Sequence, residues 1–261
     1  MIRIPVYRKE SKRPSMSTSP ASAPVHEPSP PEVSRLQVPK VDLTRPAGNQ
    51  IFQALKTAIL RMDLPPGCII SESDIGARFG ASRTPVREAL AQLRDAGLVA
   101  TIPSRGNFVT KLNADKIREA RFLREALEVA NVARIVETGM TAAVEADLTQ
   151  CLIRQQEAID ANDDLAFQAE DDLFHLKLAY ATGYPRVAHV LEHEKMQLDR
   201  LRVLSLRDHD HLDTLQIQHC QIFDALRARD MKLAISTTQS HLRSILLVLA
   251  DLTVSHADYF D

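Results

Sequence analysis

Ser82-Arg83-Thr84-Pro85-Val86-Arg87-Glu88-Ala89-Leu90 reads as the opening turns of a helix shaped to enter a DNA groove. Pro85 falls in the first turn, where its missing N–H costs nothing and its fixed φ suits the helix. Ser82 or Thr84 can cap the unpaired donors at that end. Val86, Leu90 and Leu93 recur at i, i+4 and i+7, which gives the helix one apolar face. Arg83, Thr84 and Arg87 fall off that face near the N-terminus. From there a recognition helix presents side chains to base edges and phosphates. A guanidinium fork can pair with guanine O6 and N7, for about 1–3 kcal/mol of discrimination between bases.

The flanking sequence completes a small domain. Upstream, Ile51, Phe52, Leu55, Ile59 and Leu60 form one helical stripe, which Leu64-Pro65-Pro66-Gly67 ends. A second, short helix follows, with Ser71 and Asp74 resembling a capping box and Ile75 and Phe79 facing inward. Gly80-Ala81 turns the chain into the helix quoted above, and Gly97 is its expected C-cap. Two short apolar runs, 98–102 and 107–110, flank Pro103-Ser104-Arg105-Gly106 and read as a β-hairpin. Three helices and a hairpin in this order predict a winged helix-turn-helix over residues 45–112. From Asn113 strand signals vanish. Helices are expected near 114–137, 141–161, 164–181, 185–205, 209–228 and 231–252, punctuated by Gly139, Asn162, Gly183-Tyr184-Pro185, Asp208 and Asp230. The fold class is therefore mainly α, a winged head followed by an all-helical bundle over 113–261.

Charge is divided along the chain. Residues 1–40 carry seven Lys/Arg against three Asp/Glu, residues 41–112 nine against six, and residues 113–261 sixteen against twenty-five. A basic front and an acidic back suit a DNA-reading head on a body that binds something else. Residues 1–44 are rich in Pro and Ser, lack apolar periodicity and are expected to be disordered. No apolar run is long enough to cross a bilayer, and the basic N-terminus lacks the apolar core of a signal peptide. Cys68, Cys151 and Cys220 are scattered, odd in number and free of any CxxC unit. A reduced, cytoplasmic setting is expected.

A second constellation lies in the helical half: Asp171-Asp172-Leu173-Phe174-His175, then His219, then His241. Asp171 and His175 are four apart and share a helix face; Asp172, at i and i+3, is a rival to Asp171. His219 and His241 lie on two later helices joined by a turn near Asp230, which a bundle core can bring together. One carboxylate and three imidazoles suit Zn, Ni, Mn or Fe(II), with zinc expected in isolated protein. His189 and His193 also share a face, but the flanking Glu192 and Glu194 favour a solvated one. Cys220 adjoins His219 yet points about 100° away on a helix.

The order of the N-terminal signals resembles the GntR family of bacterial transcription regulators. The likeness runs from Ile51 to Val109 and includes Pro66-Gly67, Glu72, the run from Ser82 to Leu90, Leu93, Gly97-Leu98 and the wing glycine Gly106. It implies that Arg83 and Arg87 contact bases and phosphates, that Ser82 and Thr84 anchor phosphates or backbone, and that Gly106 lets the wing tip approach the minor groove. Ser73 stands where some members carry a DNA-touching arginine. Residues 113–252 resemble the FCD effector domain of the FadR branch. The likeness rests on Arg124-Glu125-Ala126-Leu127-Glu128, Asp171-x-x-Phe174-His175, His219 with Ala225, and His241-Leu242. It implies a metal held by Asp171, His175, His219 and His241 inside a ligand cavity, at spacings of 4, 44 and 22 residues. Arg124 matches the family's cavity arginine and could pair bidentately with an effector carboxylate; Glu128, one turn on, is a rival partner. Tyr184 follows Gly183 where many members have Asn, so the cavity departs from the family there.

The function implied is a ligand-responsive transcription factor, a homodimer on a palindromic operator, repressing until a small carboxylic acid binds at the metal. A helical metal-dependent enzyme is the first alternative. It lacks HExxH and has only Glu170 or Asp172 as a local base. A regulator with a purely structural metal, or with an acyl-type ligand, is the second.

Overall fold

The computed structural model describes residues 33, 36, 41, 42, 44–205 and 209–261. Most of the expected tail falls outside them. Within the described part, Val33 is buried in the head's core, and Leu36 and Val41 pack against it, so apolar contacts of the head begin before residue 45.

The head is built from α1 (Ala47–Leu60), β1 (Ile69–Ile70), α2 (Glu72–Phe79), α3 (Arg83–Asp95), β2 (Val99–Ile102) and β3 (Gly106–Val109). The apolar stripe of α1 buries Ile51, Leu55 and Ile59 against Val86, Leu90 and Leu93 of α3. Each such side chain contributes about 1.5–3 kcal/mol by leaving water. Ser71 caps α2 through its hydroxyl, which accepts from Asp74 N–H at 3.4 Å. Gly80 ends α2 at φ 63°, a left-handed conformation that glycine adopts without a Cβ clash. Ser82 holds the N-cap position of α3 with extended backbone, but its side chain makes no cap hydrogen bond. The wing is larger than the expected hairpin. β1 joins it, giving three antiparallel strands in the order β1-β3-β2, with Ile69 opposite Phe108 and Val99 opposite Val109. A strand of two residues is too short to show the alternation that marks a strand in sequence.

The body comprises α4 (Ala114–Thr138), α5 (Ala142–Asp160), α6 (Asp164–Ala181), α7 (Pro185–Ser205), α8 (His209–Arg227), α9 (Met231–Arg243) and α10 (Ile245–Ser255). Side chains of Asn113, Thr141, Asp163 and Asp230 cap α4, α5, α6 and α9, each worth about 1 kcal/mol. α4 packs against α6, α7 and α9, while α5 packs against α6 and α8. Val132, Ile135, Leu148, Leu152, Phe174, Leu178 and Ile222 fill the space between them. The single helix expected over 231–252 is two helices meeting at Ser244, whose hydroxyl donates back to the His241 carbonyl at 2.6 Å. Such back-bonding competes for a helix acceptor and bends the chain without any Pro or Gly. Beyond α10, a 3-10 turn (Ala257–Tyr259) leads to Phe260, which pairs in parallel with Leu112 at the junction of head and body. Among the described residues no helix is long and apolar enough to cross a membrane.

Candidate functional site

Two surfaces hold the residues singled out by sequence. On the head, Ser82, Arg83, Thr84 and Arg87 are all exposed around the N-terminus of α3. That end offers unpaired backbone N–H groups and the positive end of the helix dipole, both favourable to phosphate. Arg87 Nε lies 3.0 Å from Glu72 Oε2 at the start of α2, while its side chain stays 64% exposed. An exposed pair of this kind contributes little in water and leaves the guanidinium available to a stronger anion. Gly106 opens β3 at φ 102°, and Ser104 beside it is also left-handed at φ 62°, so the wing tip makes its turn there. Open space surrounds the position where a Gly106 Cβ would sit, so the backbone conformation, and not crowding, calls for glycine.

In the body, Asp171 and His175 of α6, His219 of α8 and His241 of α9 converge, all four buried, with their ligand atoms within 4.8 Å of one another. His175 Nε2 stands 3.2 Å from His241 Nε2, which stands 3.3 Å from His219 Nε2; the latter is 3.4 Å from Asp171 Oδ1. Ligand atoms held at the usual 2.0–2.1 Å zinc–nitrogen distance and tetrahedral angles are about 3.3–3.4 Å apart. The outer nitrogens are committed elsewhere. His175 Nδ1 meets Glu128 Oε2 at 2.5 Å, His219 Nδ1 meets Gln155 Oε1 at 2.9 Å, and His241 Nδ1 meets Gln218 Oε1 at 2.9 Å. These oxygens can only accept, so a ring in its neutral form carries its proton on Nδ1 and turns a bare Nε2 lone pair inward. Three such lone pairs and a carboxylate facing one another fit a divalent cation, the donor set inferred from sequence.

Electrostatics favour the same state. Burial holds His219 far below an ordinary imidazole, at about 3, against the opposing pull of Asp171; burial and the neighbouring rings lower His241 as well. Both rings are therefore neutral, as ligation requires. Burial would raise Asp171, but the Arg202 guanidinium, which donates to Oδ2, holds it ionised well below the usual carboxylate range. Glu128 is likewise kept ionised, at about 2, because Arg124 and His175 outweigh its burial.

The rival ligands do not enter the cluster. Asp172 turns to Arg202 Nη1 (2.6 Å) and Lys195 Nζ (2.7 Å). His189 and His193 are exposed beside Glu192 and Glu194. Cys220 packs against the apolar core of α4, α5 and α6. Arg124 does both things that sequence allowed: it pairs with Glu128, and it lines the cavity. That cavity, about 40 Å³ in volume, is walled by Arg121, Arg124, Arg202, Asp171 and His241 on its polar side. Leu198, Leu215, Leu242 and Ile245 form its apolar side. Glu128, Gln155, Gln218 and Arg202, which hydrogen-bond the four clustered residues, were not singled out by sequence as site residues. They come from α4, α5, α8 and α7, and only the fold brings them to the rings.

Comparison with known proteins gives this geometry a lineage. The family of bacterial regulatory proteins, gntR family, matches residues 47–109, and the FCD domain matches residues 119–244. The chain is 34% identical over 196 residues to an uncharacterized HTH-type transcriptional regulator in an unstable DNA locus of Streptomyces ambofaciens, covering 75% of this chain and 81% of that one. It is 32% identical over 217 residues to the HTH-type transcriptional repressor RspR of Escherichia coli K12, covering 83% and 95%. Among solved structures, a transcriptional regulator GntR from Rhodococcus sp. RHA1 superposes with a TM-score of 0.67 at 25% identity, over 78% of this chain and 97% of that one. E. coli McbR/YncC shares the fold at the same TM-score and 21% identity, over the same shares. These families and relatives are regulators, not enzymes, and the winged head and helical body match them in order. The chain belongs to the GntR family of bacterial regulatory proteins, with an FCD domain, and is a DNA-binding transcriptional regulator.

Proposed function

We propose that this regulator is a repressor whose hold on its operator is controlled by a small carboxylic acid bound beside a divalent metal in the body. Asp171, His175, His219 and His241 hold the metal. The metal supplies a Lewis-acidic anchor for an anionic oxygen, and Arg124 or a neighbouring guanidinium of the cavity takes the carboxylate. Ser82, Arg83, Thr84 and Arg87 meet the major groove, and Gly106 brings the wing to the minor groove. Two copies place two heads on the half-sites of a palindrome in the cytoplasm. The acid shifts the heads only by binding one arrangement better than the other.

The observation that carries this reading is the inward convergence of three Nε2 lone pairs on the wall of a cavity that also presents arginine. A thermal-shift screen of small carboxylic acids on metal-loaded protein tests it. The expected result is a set of stabilising acids whose effect vanishes after chelation and in His219→Ala. Acids that stabilise the chelated protein and the variant equally would contradict the role of the metal. Stabilisation by long-chain acyl ligands alone would instead favour the apolar wall of Leu198, Leu215, Leu242 and Ile245 as the binding surface.

A further inference from the structure

Residues 257–261 close on the junction of head and body. β3 stops at Val109 and α4 starts at Ala114, so residues 110–113 link the two along the chain, while α1 of the head also packs against α7 of the body. Thr110 N–H stays with the head, donating to Leu98 O at 3.0 Å. Beyond it the linker is held from outside. Leu112 N–H donates to Tyr259 O (2.8 Å), Asp261 N–H donates to Leu112 O (3.0 Å), and Lys111 Nζ donates to Phe260 O (3.0 Å). From α7, the buried Arg200 donates to Thr110 O at 2.6 Å. Leu112 and Phe260 are buried in one cluster with Leu198 and Leu201 of α7 and Leu249 and Leu252 of α10.

The same elements reach the cavity. His241 lies in the last turn of α9, and Ser244 and Ile245, where α9 bends into α10, line the cavity wall. α7 presents Arg202 to Asp171 and, two residues earlier, Arg200 to the linker. Close-packed helices pass on a shift at one end as a shift at the other, because their interior does not compress.

We propose that residues 257–261 form a clasp that fixes the winged head to the body and reports the state of the cavity to it through α10. The proposal rests on the reading of that cavity as the metal and effector site. α10 and the clasp follow the stretch matched by the FCD domain, which ends at residue 244.

Amide hydrogen exchange on the full chain, with zinc or with chelator, tests it at two amides. In the unaltered protein zinc is expected to change exchange at Leu112, whose N–H the clasp holds, by about tenfold, leaving Thr110 as an internal reference. In Phe260→Ala, Leu112 is expected to exchange fast with or without zinc, while zinc still binds, weakened by no more than about the same tenfold. Lys111→Met removes one clasp hydrogen bond at an exposed residue and is expected to reduce the zinc response with the fold intact. An equal response in all three proteins overturns the clasp, as does zinc binding that leaves Leu112 unaffected in the unaltered chain. A chain that takes up no zinc overturns the metal reading and the clasp's signal with it, and direct zinc binding tells that failure from the others.

Discussion

Gln155 contributes nothing to the cavity wall, yet its Oε1 fixes which nitrogen of His219 faces inward. Glu128 and Gln218 do the same for His175 and His241. Removing such an orienting partner costs 10–100-fold in metal affinity in comparable sites. Gln155→Leu is therefore expected to weaken zinc about 10–100-fold while leaving helical content unchanged, as measured by competition with a chelating dye and by circular dichroism. Retained affinity would mean that His219 keeps its orientation without Gln155. On the head, the Arg87 side chain is 64% exposed. Arg87→Ala is expected to lower operator affinity and to flatten the dependence of log K on log salt by about 0.9, the loss of one phosphate contact. Because its one ion pair among the described residues is the exposed one to Glu72, the melting temperature should hardly move. Normal operator binding by that variant would remove Arg87 from the interface.

The elements divide by how much of their cause lies within a few residues. α3 was legible because its proline, its apolar stripe and its exposed arginines sit within one segment. The same holds for the pair Asp171 and His175, one turn apart on α6. β1 was not legible, because two residues have no period and its pairing partner, β3, lies some 38 positions away. The bend at Ser244 was missed for a different reason: a serine inside a helical pattern usually turns outward, and only the fold shows its hydroxyl bonded to His241 O. The four ligands could be named, but their orienting partners could not, since His219 and Gln155 are 64 residues apart. Leu90 is the measure of how α3 is held: it is fully buried between α1 and the sheet. Leu90→Ala is expected to cost about 2–5 kcal/mol, seen as loss of the head's melting transition while zinc still binds the body. An unchanged transition would mean that α3 is held mainly by other contacts.

At the scale of the whole molecule, a basic head and an acidic body suit the proposed division between reading DNA and sensing a ligand. The two meet at the short linker of residues 110–113 and where α1 packs against α7. The body's core is closed around a cluster of like-facing nitrogens, where the proposed cation would tie α6, α8 and α9 together. Metal at 100 times its dissociation constant is expected to stabilise the protein by about 2.7 kcal/mol, read as a fall in melting temperature on chelation. The claim on which the rest depends is that Asp171, His175, His219 and His241 hold a divalent metal. Metal analysis of purified protein, as isolated and after zinc reconstitution, tests it most directly when run beside His219→Ala. About one metal ion per chain is expected in the unaltered protein, and none in the variant at unchanged helical content. A folded, unaltered chain that holds no metal after reconstitution, or a variant that holds as much, would contradict it.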